Sequence, residues 1–170
     1  HPRMLSSLSD AKAAGAKIVS VNPLKEIGLQ RFTHPQRMGD FLAGGRELTD
    51  LYLQVRINGD MALLKVIMKA LLENEAKAPG TVLDKAFIEN KTLEFESFDE
   101  DLLATSWDEI VEESGLLEKD IREAAKIYQE ADGVIVCWAM GLTQHVNGVA
   151  NIQSCLNLLL MGSNIGKHGA

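Results

Sequence analysis

The sequence predicts an α/β fold in which helices flank a parallel, doubly wound sheet. Short β-branched segments, such as Lys17–Val21 and Gly133–Trp138, alternate with longer segments of helical periodicity. The resulting order of helix, strand, loop, strand, helices, strand and helix is typical of such sheets. With 170 residues, 46% of them apolar, the chain can build one core of ordinary size. We therefore expect a single α/β domain over residues 1–170.

Composition excludes several classes of protein. A net charge of -7 without a cluster of Lys or Arg opposes binding to nucleic acid. No apolar run reaches about eighteen residues, so no membrane span is expected. Cys137 and Cys155 form no CxxC pair or disulfide framework, which favours buried thiols and a cytoplasmic location.

The first half of the chain alternates between predicted regular elements and a long loop. Met4–Ala14 has the spacing of an amphipathic helix, and Gly15 is placed to end it. Lys17–Val21 is a predicted strand that stops at Asn22-Pro23, because the residue before a proline disfavours helix. Residues 25–50 form an irregular loop longer than most connections, and such loops often carry function.

The middle of the chain is predicted to pass from a strand into an apolar helix. Leu51–Ile57 alternates apolar residues with period two and predicts a strand. Asn58-Gly59-Asp60 follows, and the next helix covers Met61–Leu72 with Asp60 or Gly59 as its N-cap.

The second half is predicted to be mostly helical around one further strand. Gly133–Trp138 is nearly all apolar and predicts a strand buried on both faces. Val146–Met161 is an apolar helix expected to be central. The other predicted helices cover Leu83–Asn90, Phe95–Ala104, a segment from a Ser106 capping box to Gly115, and Glu118–Ala131.

The ends of the chain suggest a piece of a larger protein. The sequence starts at His1-Pro2-Arg3, and its first helix lacks the strand that would normally precede it. We expect such a piece to expose apolar surface and to self-associate.

Ligands of open parallel sheets bind beyond the carboxyl ends of the strands. Three segments lie there: 21–25, 57–60 and 138–145. Asp60 is the sharpest candidate, because a carboxylate beside a glycine can accept two hydrogen bonds from the N1–H and amino group of a guanine. The alternative is that Asp60 only caps a helix.

Other polar residues near these segments permit two interpretations. Gly141 and Gly148 could let backbone approach a pterin or pyrophosphate, with Gln144 and Thr143 as polar partners, or they could simply form a turn. His145 and His168 have no second ligand at metal spacing, so we interpret them as structural or solvated. The residues Ser163–Gly166 fit either a phosphate contact or a helix C-terminal turn. The chain contains no GxGxxG, Walker loop, nucleophile elbow or HExxH motif.

Three strings together resemble the molybdopterin oxidoreductases, in the branch that contains formate dehydrogenase catalytic subunits. They are Ala13–Pro23, Ile57–Leu64 and Met140–Gly148, the last of which continues to Leu160–Gly169. The likeness extends over essentially the entire chain. It implies a Rossmann-like cofactor-binding domain, excised from a larger multidomain subunit.

The resemblance also implies which residues contact the cofactor, molybdenum bis(molybdopterin guanine dinucleotide). The implied contacts with one guanine dinucleotide are Asn22, Pro23, Asn58, Gly59, Asp60, Met140, Gly141 and Gln144. Asn22 and Leu24 differ from the family's usual aspartate and arginine. The stretch from Phe32 to Asp50 is more similar to the less characterised relatives than to formate dehydrogenase itself.

The resemblance implies no catalytic residue and no metal ligand among the 170 residues. The resemblance makes the parent protein an oxidoreductase and this piece alone inactive. The implied partners are an electron-transfer protein and the remaining domains of the same subunit, which in this family can hold an iron–sulphur cluster.

Two other classes of function remain open. One is a non-catalytic α/β interaction module with an exposed apolar patch at Leu156, Leu159 and Leu160. The other is a small enzyme using His145 as a base, which lacks a neighbouring carboxylate in the sequence.

Overall fold

The fold combines many helices with a small parallel sheet. A computed structural model describes residues 2–33 and 44–170 of the chain. The chain divides after Gln54 into two compact units, residues 1–54 (unit 1) and residues 55–170 (unit 2). The predicted α/β class is confirmed. The prediction of one cofactor-binding domain over residues 1–170 stays a prediction.

Unit 1 contains the parallel strands. Its described elements are α1 (Pro2–Ala13), β1 (Val19–Val21), α2 (Ile27–Gln30), β2 (Arg31–Phe32), β3 (Arg46–Glu47) and β4 (Leu51–Leu53). Strands β1 and β4 pair in parallel, with Val19 opposite Leu51 and Val21 opposite Leu53. Both strands are shorter than the predicted segments, but their order and direction are as expected.

The stretch 25–50 is more regular than the sequence indicated. It contains α2 and an antiparallel pair between β2 and β3. The oppositely charged Arg31 and Glu47 lie directly across this pair, and Phe32 is buried. The prediction of an irregular loop is therefore wrong for these residues, while its centre, residues 34–43, lies outside the described residues.

Asp50 holds the elements of unit 1 together. Its carboxylate accepts a hydrogen bond from the Ile18 N–H at 2.8 Å and forms an ion pair with Lys12 Nζ at 2.6 Å. Burial by itself raises the pKa of Asp50, but Lys12 and the Ile18 N–H outweigh it and leave the pKa lowered. The carboxylate thus links the end of α1 to the start of β1 and β4.

Unit 2 is built around one long helix. Its helices are α3 (Asp60–Lys77), α4 (Lys85–Lys91), α5 (Phe95–Ala104), α6 (Trp107–Ser114), α7 (Glu118–Gln129), α8 (Met140–Thr143) and α9 (Gly148–Met161). Helix α3 is buried on almost every side and packs against α5, α6, α7 and α9. We expected α9 to be central, which is wrong, because α9 buries one face and exposes Val149 and Leu156.

A buried lysine joins α3 to the end of α5. The Lys69 ammonium donates to the Leu103 carbonyl at 2.6 Å and to the Leu102 carbonyl at 3.5 Å. These carbonyls belong to the last turn of α5, where helices leave acceptors free and favour a positive charge. The side chain is therefore stabilised despite its burial.

The predicted caps of two helices are corrected in part. Gly59, and not Asp60, is the N-cap of α3. Ser106 precedes α6, but its side chain makes no capping hydrogen bond. Gly115 ends α6 with a left-handed φ of 71°, as predicted.

The segment 133–138 is not the strand that we predicted. It contains no helix, turn or bend, but among the described residues it pairs with no strand. Ile135 remains 71% exposed, so the expected burial on both faces is also wrong. Apolar β-branched residues favour a strand, yet a strand forms only where a neighbour supplies hydrogen bonds.

None of the helices within residues 2–33 and 44–170 is long and apolar enough to cross a membrane.

A buried carboxylate stabilises the connection between α3 and α4. Glu75 accepts hydrogen bonds from the backbone N–H groups of Gly80, Val82 and Leu83, at 2.7, 3.0 and 3.2 Å. Lys85 lies 3.3 Å away. Burial raises the pKa of Glu75, but these donors and Lys85 outweigh it and lower the pKa to about 2.

We expect Glu75→Gln to lower the free energy of unfolding at pH 7 by about 1–3 kcal/mol, because the charged acceptor is lost. The depressed pKa contributes stability above the unfolded value of 4.5, and this contribution disappears as the pH falls towards 2. Urea unfolding at several pH values should show a weaker acid dependence for this variant. The exposed Glu89→Gln in α4 should match the wild type, and equal acid dependence in all three proteins would contradict the prediction.

Candidate functional site

The turn before α3 is held against the end of α6. The Arg56 N–H donates to the Ser114 carbonyl at 2.8 Å, and the Gly59 N–H donates to the Arg56 carbonyl at 2.9 Å. Asn58 has a positive φ of 71°. A Cβ on Gly59 would lie 3.0 Å from the Glu113 carbonyl oxygen and the Ser114 Cα. A side chain at this position would therefore crowd the backbone of α6.

Asp60 follows this turn as the first residue of α3. The carboxyl is half-buried, and within the residues that the structure describes no other side chain donates a hydrogen bond to it. Burial raises its pKa, while its own backbone N–H and the charge of His145 oppose the shift. The charge of Asp60 in turn helps to raise the pKa of Cys155, although burial is the larger cause.

The second part of the site is the segment from Met140 to Gly148. Its turns are closed by the Gln144 N–H, which donates to the Met140 carbonyl at 2.8 Å, and by the Gly148 N–H, which donates to the His145 carbonyl at 2.9 Å. A Cβ on Gly148 would lie 2.6 Å from the Thr143 carbonyl oxygen. Close packing within the protein therefore explains Gly148, which supports the turn interpretation for this residue.

A side-chain hydrogen bond joins the two parts. Asn147 Nδ2 donates to Asn58 Oδ1 at 2.9 Å, across 89 positions of sequence. The bond brings the Asn58–Asp60 turn and the loop that follows α8 to one edge of unit 2. Sequence reasoning missed Asn147, although it lies within the string that carried the resemblance.

The outer side of this edge is open. Met140, Gly141 and Gln144 are exposed, and a Cβ on Gly141 would meet no atom within 4 Å. Packing of the described residues therefore gives no reason for glycine at position 141. The space beside its backbone is free for a ligand to approach.

His145 occupies the inner side of the loop. Its Nδ1 accepts a hydrogen bond from the Asn147 N–H at 3.1 Å. The sequence offered no neighbouring carboxylate, but the structure brings Asp60 within electrostatic reach. Because the backbone of Asn147, and not Asp60, bonds to Nδ1, the arrangement does not resemble a carboxylate-oriented base.

Asn22 and Pro23 lie in unit 1, in the loop that follows β1. Asn22 Nδ2 donates to the Leu24 carbonyl at 2.7 Å and to Glu26 Oε1 at 3.2 Å. The Pro23 carbonyl accepts from Gln54 Nε2 at 2.9 Å. These bonds use the amide donors of Asn22 inside the loop itself. Sequence reasoning missed Gln54, although the position of this residue directly after β4 could have indicated it.

The remaining candidates are residues 163–166, His168 and the two cysteines. Buried Asn164 accepts from the Val134 N–H at 3.0 Å and donates to the Tyr128 hydroxyl at 3.0 Å, which supports a helix C-terminal turn at residues 163–166. His168 is exposed. Cys155 is buried as expected, whereas Cys137 is exposed. Within the described residues, no three His, Cys, Asp or Glu side chains are grouped to hold a metal ion.

Several known proteins are similar to this chain over its whole length. No protein-family model matches the chain. Protein YdeP of Escherichia coli is 45% identical over 175 residues, which cover 100% of this chain and 23% of YdeP. An uncharacterized oxidoreductase of Mycobacterium tuberculosis is 41% identical, with 100% of this chain and 22% of the relative covered. The alpha subunit of F420-dependent formate dehydrogenase 1 of Methanococcus maripaludis is 31% identical, with 99% and 22% covered.

A solved structure shares the fold. Acetylene hydratase from Pelobacter acetylenicus superimposes with a TM-score of 0.78 at 19% identity, over 97% of this chain and 20% of the hydratase. Two of the three relatives are named as an oxidoreductase and as a formate dehydrogenase subunit. This chain spans less than a quarter of the length of each matched protein. Over its whole length the chain is similar to part of larger oxidoreductases that include a formate dehydrogenase alpha subunit, so the predicted resemblance is confirmed.

The two glycines of the site should respond differently to substitution. We expect Gly59→Ala to lower the free energy of unfolding by about 1–3 kcal/mol, because the added methyl group meets fixed backbone of α6. Gly141→Ala should leave stability unchanged or slightly higher, because its Cβ enters open space and alanine favours helix. Chemical denaturation measures both. Equal losses in the free energy of unfolding for the two variants would show that packing at Gly59 does not cause the destabilisation.

Proposed function

We propose that these 170 residues are the part of a molybdopterin-dependent oxidoreductase subunit that contacts one guanine dinucleotide of the molybdenum cofactor. The observation that carries this proposal is Asp60, a half-buried carboxylate that receives no side-chain hydrogen bond among the described residues. Asp60 lies on a turn that the Asn147–Asn58 hydrogen bond ties to the loop after α8. Homology to formate dehydrogenase alpha subunits supports the class of the parent enzyme.

The residues present fit such a group. Guanine offers two parallel donors, its N1–H and its 2-amino group, and an ionised carboxylate accepts both. Burial strengthens these bonds by excluding water. Gly141 lets the backbone approach closely, and Gln144 offers both an amide donor and an acceptor at the exposed edge. The Asn147–Asn58 bond holds the two loops in register for a shared ligand.

The chain's own role in this proposal is binding and orientation. Asp60 and Asn58 would fix the base, while Met140, Gly141 and Gln144 would line the loop beside it. Asn22 and Pro23 in unit 1 remain proposed contacts, acting through the Asn22 carbonyl oxygen and the loop backbone. The cofactor supplies the redox chemistry when bound, so the 170 residues alone are expected to be inactive.

The parent subunit would contain further parts. An iron–sulphur cluster, the substrate site and the contact with an electron-transfer protein are proposed to lie outside these residues. Formate is the substrate named for the Methanococcus relatives, and we propose a formate-like substrate class for the parent.

The alternative function, a non-catalytic interaction module, was expected to use an exposed apolar patch on α9. Leu159 is only 8% exposed and Leu160 is partly buried, so the predicted patch at Leu156, Leu159 and Leu160 is wrong. The reason is that this face of α9 packs against α3.

Calorimetric titration with GDP, inosine diphosphate and ADP tests the guanine site. We expect GDP to bind at least about tenfold more tightly than ADP, because one charged hydrogen bond contributes about 1.5–3 kcal/mol. Inosine diphosphate lacks the 2-amino group and should fall between them. Asp60→Asn should abolish the discrimination, since the amide replaces one acceptor by a donor.

The matched control is Asp108→Asn, which removes an exposed carboxylate from the first turn of α6. It should bind all three nucleotides as the wild type does. Acidification should weaken GDP binding at a pH above the usual aspartate value of 3.8, since the pKa of Asp60 is raised. Equal dissociation constants for GDP and ADP, or no heat of binding from folded protein at millimolar ligand, would refute a preformed guanine site.

A further inference from the structure

Asn147 is the N-cap of helix α9, but its side chain does not cap that helix. An asparagine at an N-cap ordinarily accepts a hydrogen bond from a backbone N–H in the first turn of its own helix. The Asn147 side chain instead donates to Asn58 Oδ1 at 2.9 Å, across 89 positions of sequence. The side chain therefore serves a contact between two loops in place of the local helix end.

The backbone of Asn147 is held from both directions. Its N–H donates to His145 Nδ1 at 3.1 Å, and its carbonyl accepts from the N–H of Asn151 at 2.9 Å. The free N–H groups of a helix N-terminus favour an acceptor beside them, which favours the amide oxygen of Asn147 on the side of α9. The amino group is the part of the amide that reaches Asn58.

This hydrogen bond decides which end of the Asn58 amide stays available. Asn58 Oδ1 is occupied by Asn147, whereas Asn58 Nδ2 donates to no other group among the described residues. The side chain of Asn58 is exposed, and Asp60 follows two positions later on the same turn. The turn therefore presents an amide donor beside a carboxylate acceptor.

A donor beside a carboxylate matches the edge of guanine. Guanine has hydrogen-bond donors at N1 and at its 2-amino group and an acceptor at O6, whereas adenine has a 6-amino donor in place of O6. A 6-amino group would face the Asn58 amino group donor to donor, and such a mismatch disfavours the wrong ligand. The Asn58 amide in this orientation therefore favours a 6-oxo purine.

We propose that Asn147 sets the base preference of the site at purine position 6, by turning the Asn58 amide so that Nδ2 donates to a 6-oxo group. The inference rests on the proposed guanine site, because the base must be bound at Asp60. It adds a second contact of opposite polarity, in which Asp60 accepts from the two donors of guanine and Asn58 donates to its acceptor. Asn147 acts through Asn58 and is a positioning residue.

Calorimetric titration with three nucleoside diphosphates separates the two contacts. GDP and inosine diphosphate differ only in the 2-amino group, so the ratio of their dissociation constants reports on Asp60. Inosine diphosphate and ADP both lack the 2-amino group and differ at N1 and at position 6, so their ratio includes the Asn58 contact. The three ligands share one diphosphate, so a changed charge on the protein affects them alike.

We expect Asn58→Gly to lower the preference for inosine diphosphate over ADP on the order of fivefold, because one hydrogen bond to O6 is lost. Glycine accepts the positive φ of 71° at this position, so the turn is kept. The preference for GDP over inosine diphosphate should stay at its wild-type value. Loss of both preferences together would mean that the turn itself is disturbed, and would contradict the role of Asn58.

Asn147→Asp tests the orientation of the Asn58 amide. A carboxylate at position 147 can only accept, so Asn58 would turn Nδ2 towards it and present Oδ1 to the base. The preference for inosine diphosphate over ADP should then fall below that of Asn58→Gly. The matched control is Asn90→Asp, which makes the same change at an exposed position of α4 and should keep both ratios.

The outcomes separate this inference from the guanine site. A wild-type ratio of inosine diphosphate to ADP in both Asn58→Gly and Asn147→Asp would overturn the inference. The guanine site would stand in that case if the wild type prefers GDP to inosine diphosphate and Asp60→Asn does not. A wild type that distinguishes none of the three nucleotides would refute the guanine site, and the inference with it.

Discussion

Helix α3 is the constraint on which unit 2 depends. Its side chains are buried on nearly every side, and four other helices pack against it. Its buried polar groups are paired, with Lys69 on the carbonyls that end α5 and Glu75 on the backbone amides that lead to α4. Because burying an unpaired charge is costly, these contacts fix where the neighbouring segments can lie. The same helix begins at Asp60, so the core also sets the position of the candidate site.

The site follows from how the start of α3 is held. Gly59 fits against the backbone of α6, which leaves no freedom for the turn that presents Asp60. Asn147 then reaches across to Asn58 and places the loop after α8 beside that turn. The inner side of the site is packed and hydrogen-bonded, whereas Gly141 and Gln144 face open space. An arrangement that is rigid inside and open outside suits a ligand that must be oriented.

Residues 134–138 and the paired strands of unit 1 illustrate that a strand forms only beside a neighbour that satisfies its backbone hydrogen bonds. Val19–Val21 forms a strand because Leu51–Leu53 lies beside it, and the two exchange backbone hydrogen bonds. Residues 134–138 have an equally favourable composition but pair with no strand among the described residues. Intrinsic preference for β structure is therefore expressed only where a neighbour satisfies the backbone.

The sequence by itself determined the α/β class, the positions of most helices and the end of α6 at Gly115, because periodicity and glycine conformation are local properties. It also pointed to the Asn58–Asp60 turn and the loop from Met140, and its motifs indicated the oxidoreductase family. Tertiary structure decided that α3 and not α9 is central, that Gly59 caps α3, and that Asn147 joins the two loops. It also decided that residues 133–138 pair with no strand among the described residues and that Cys137 is exposed. Such outcomes depend on contacts between residues far apart in the chain, which no local pattern records.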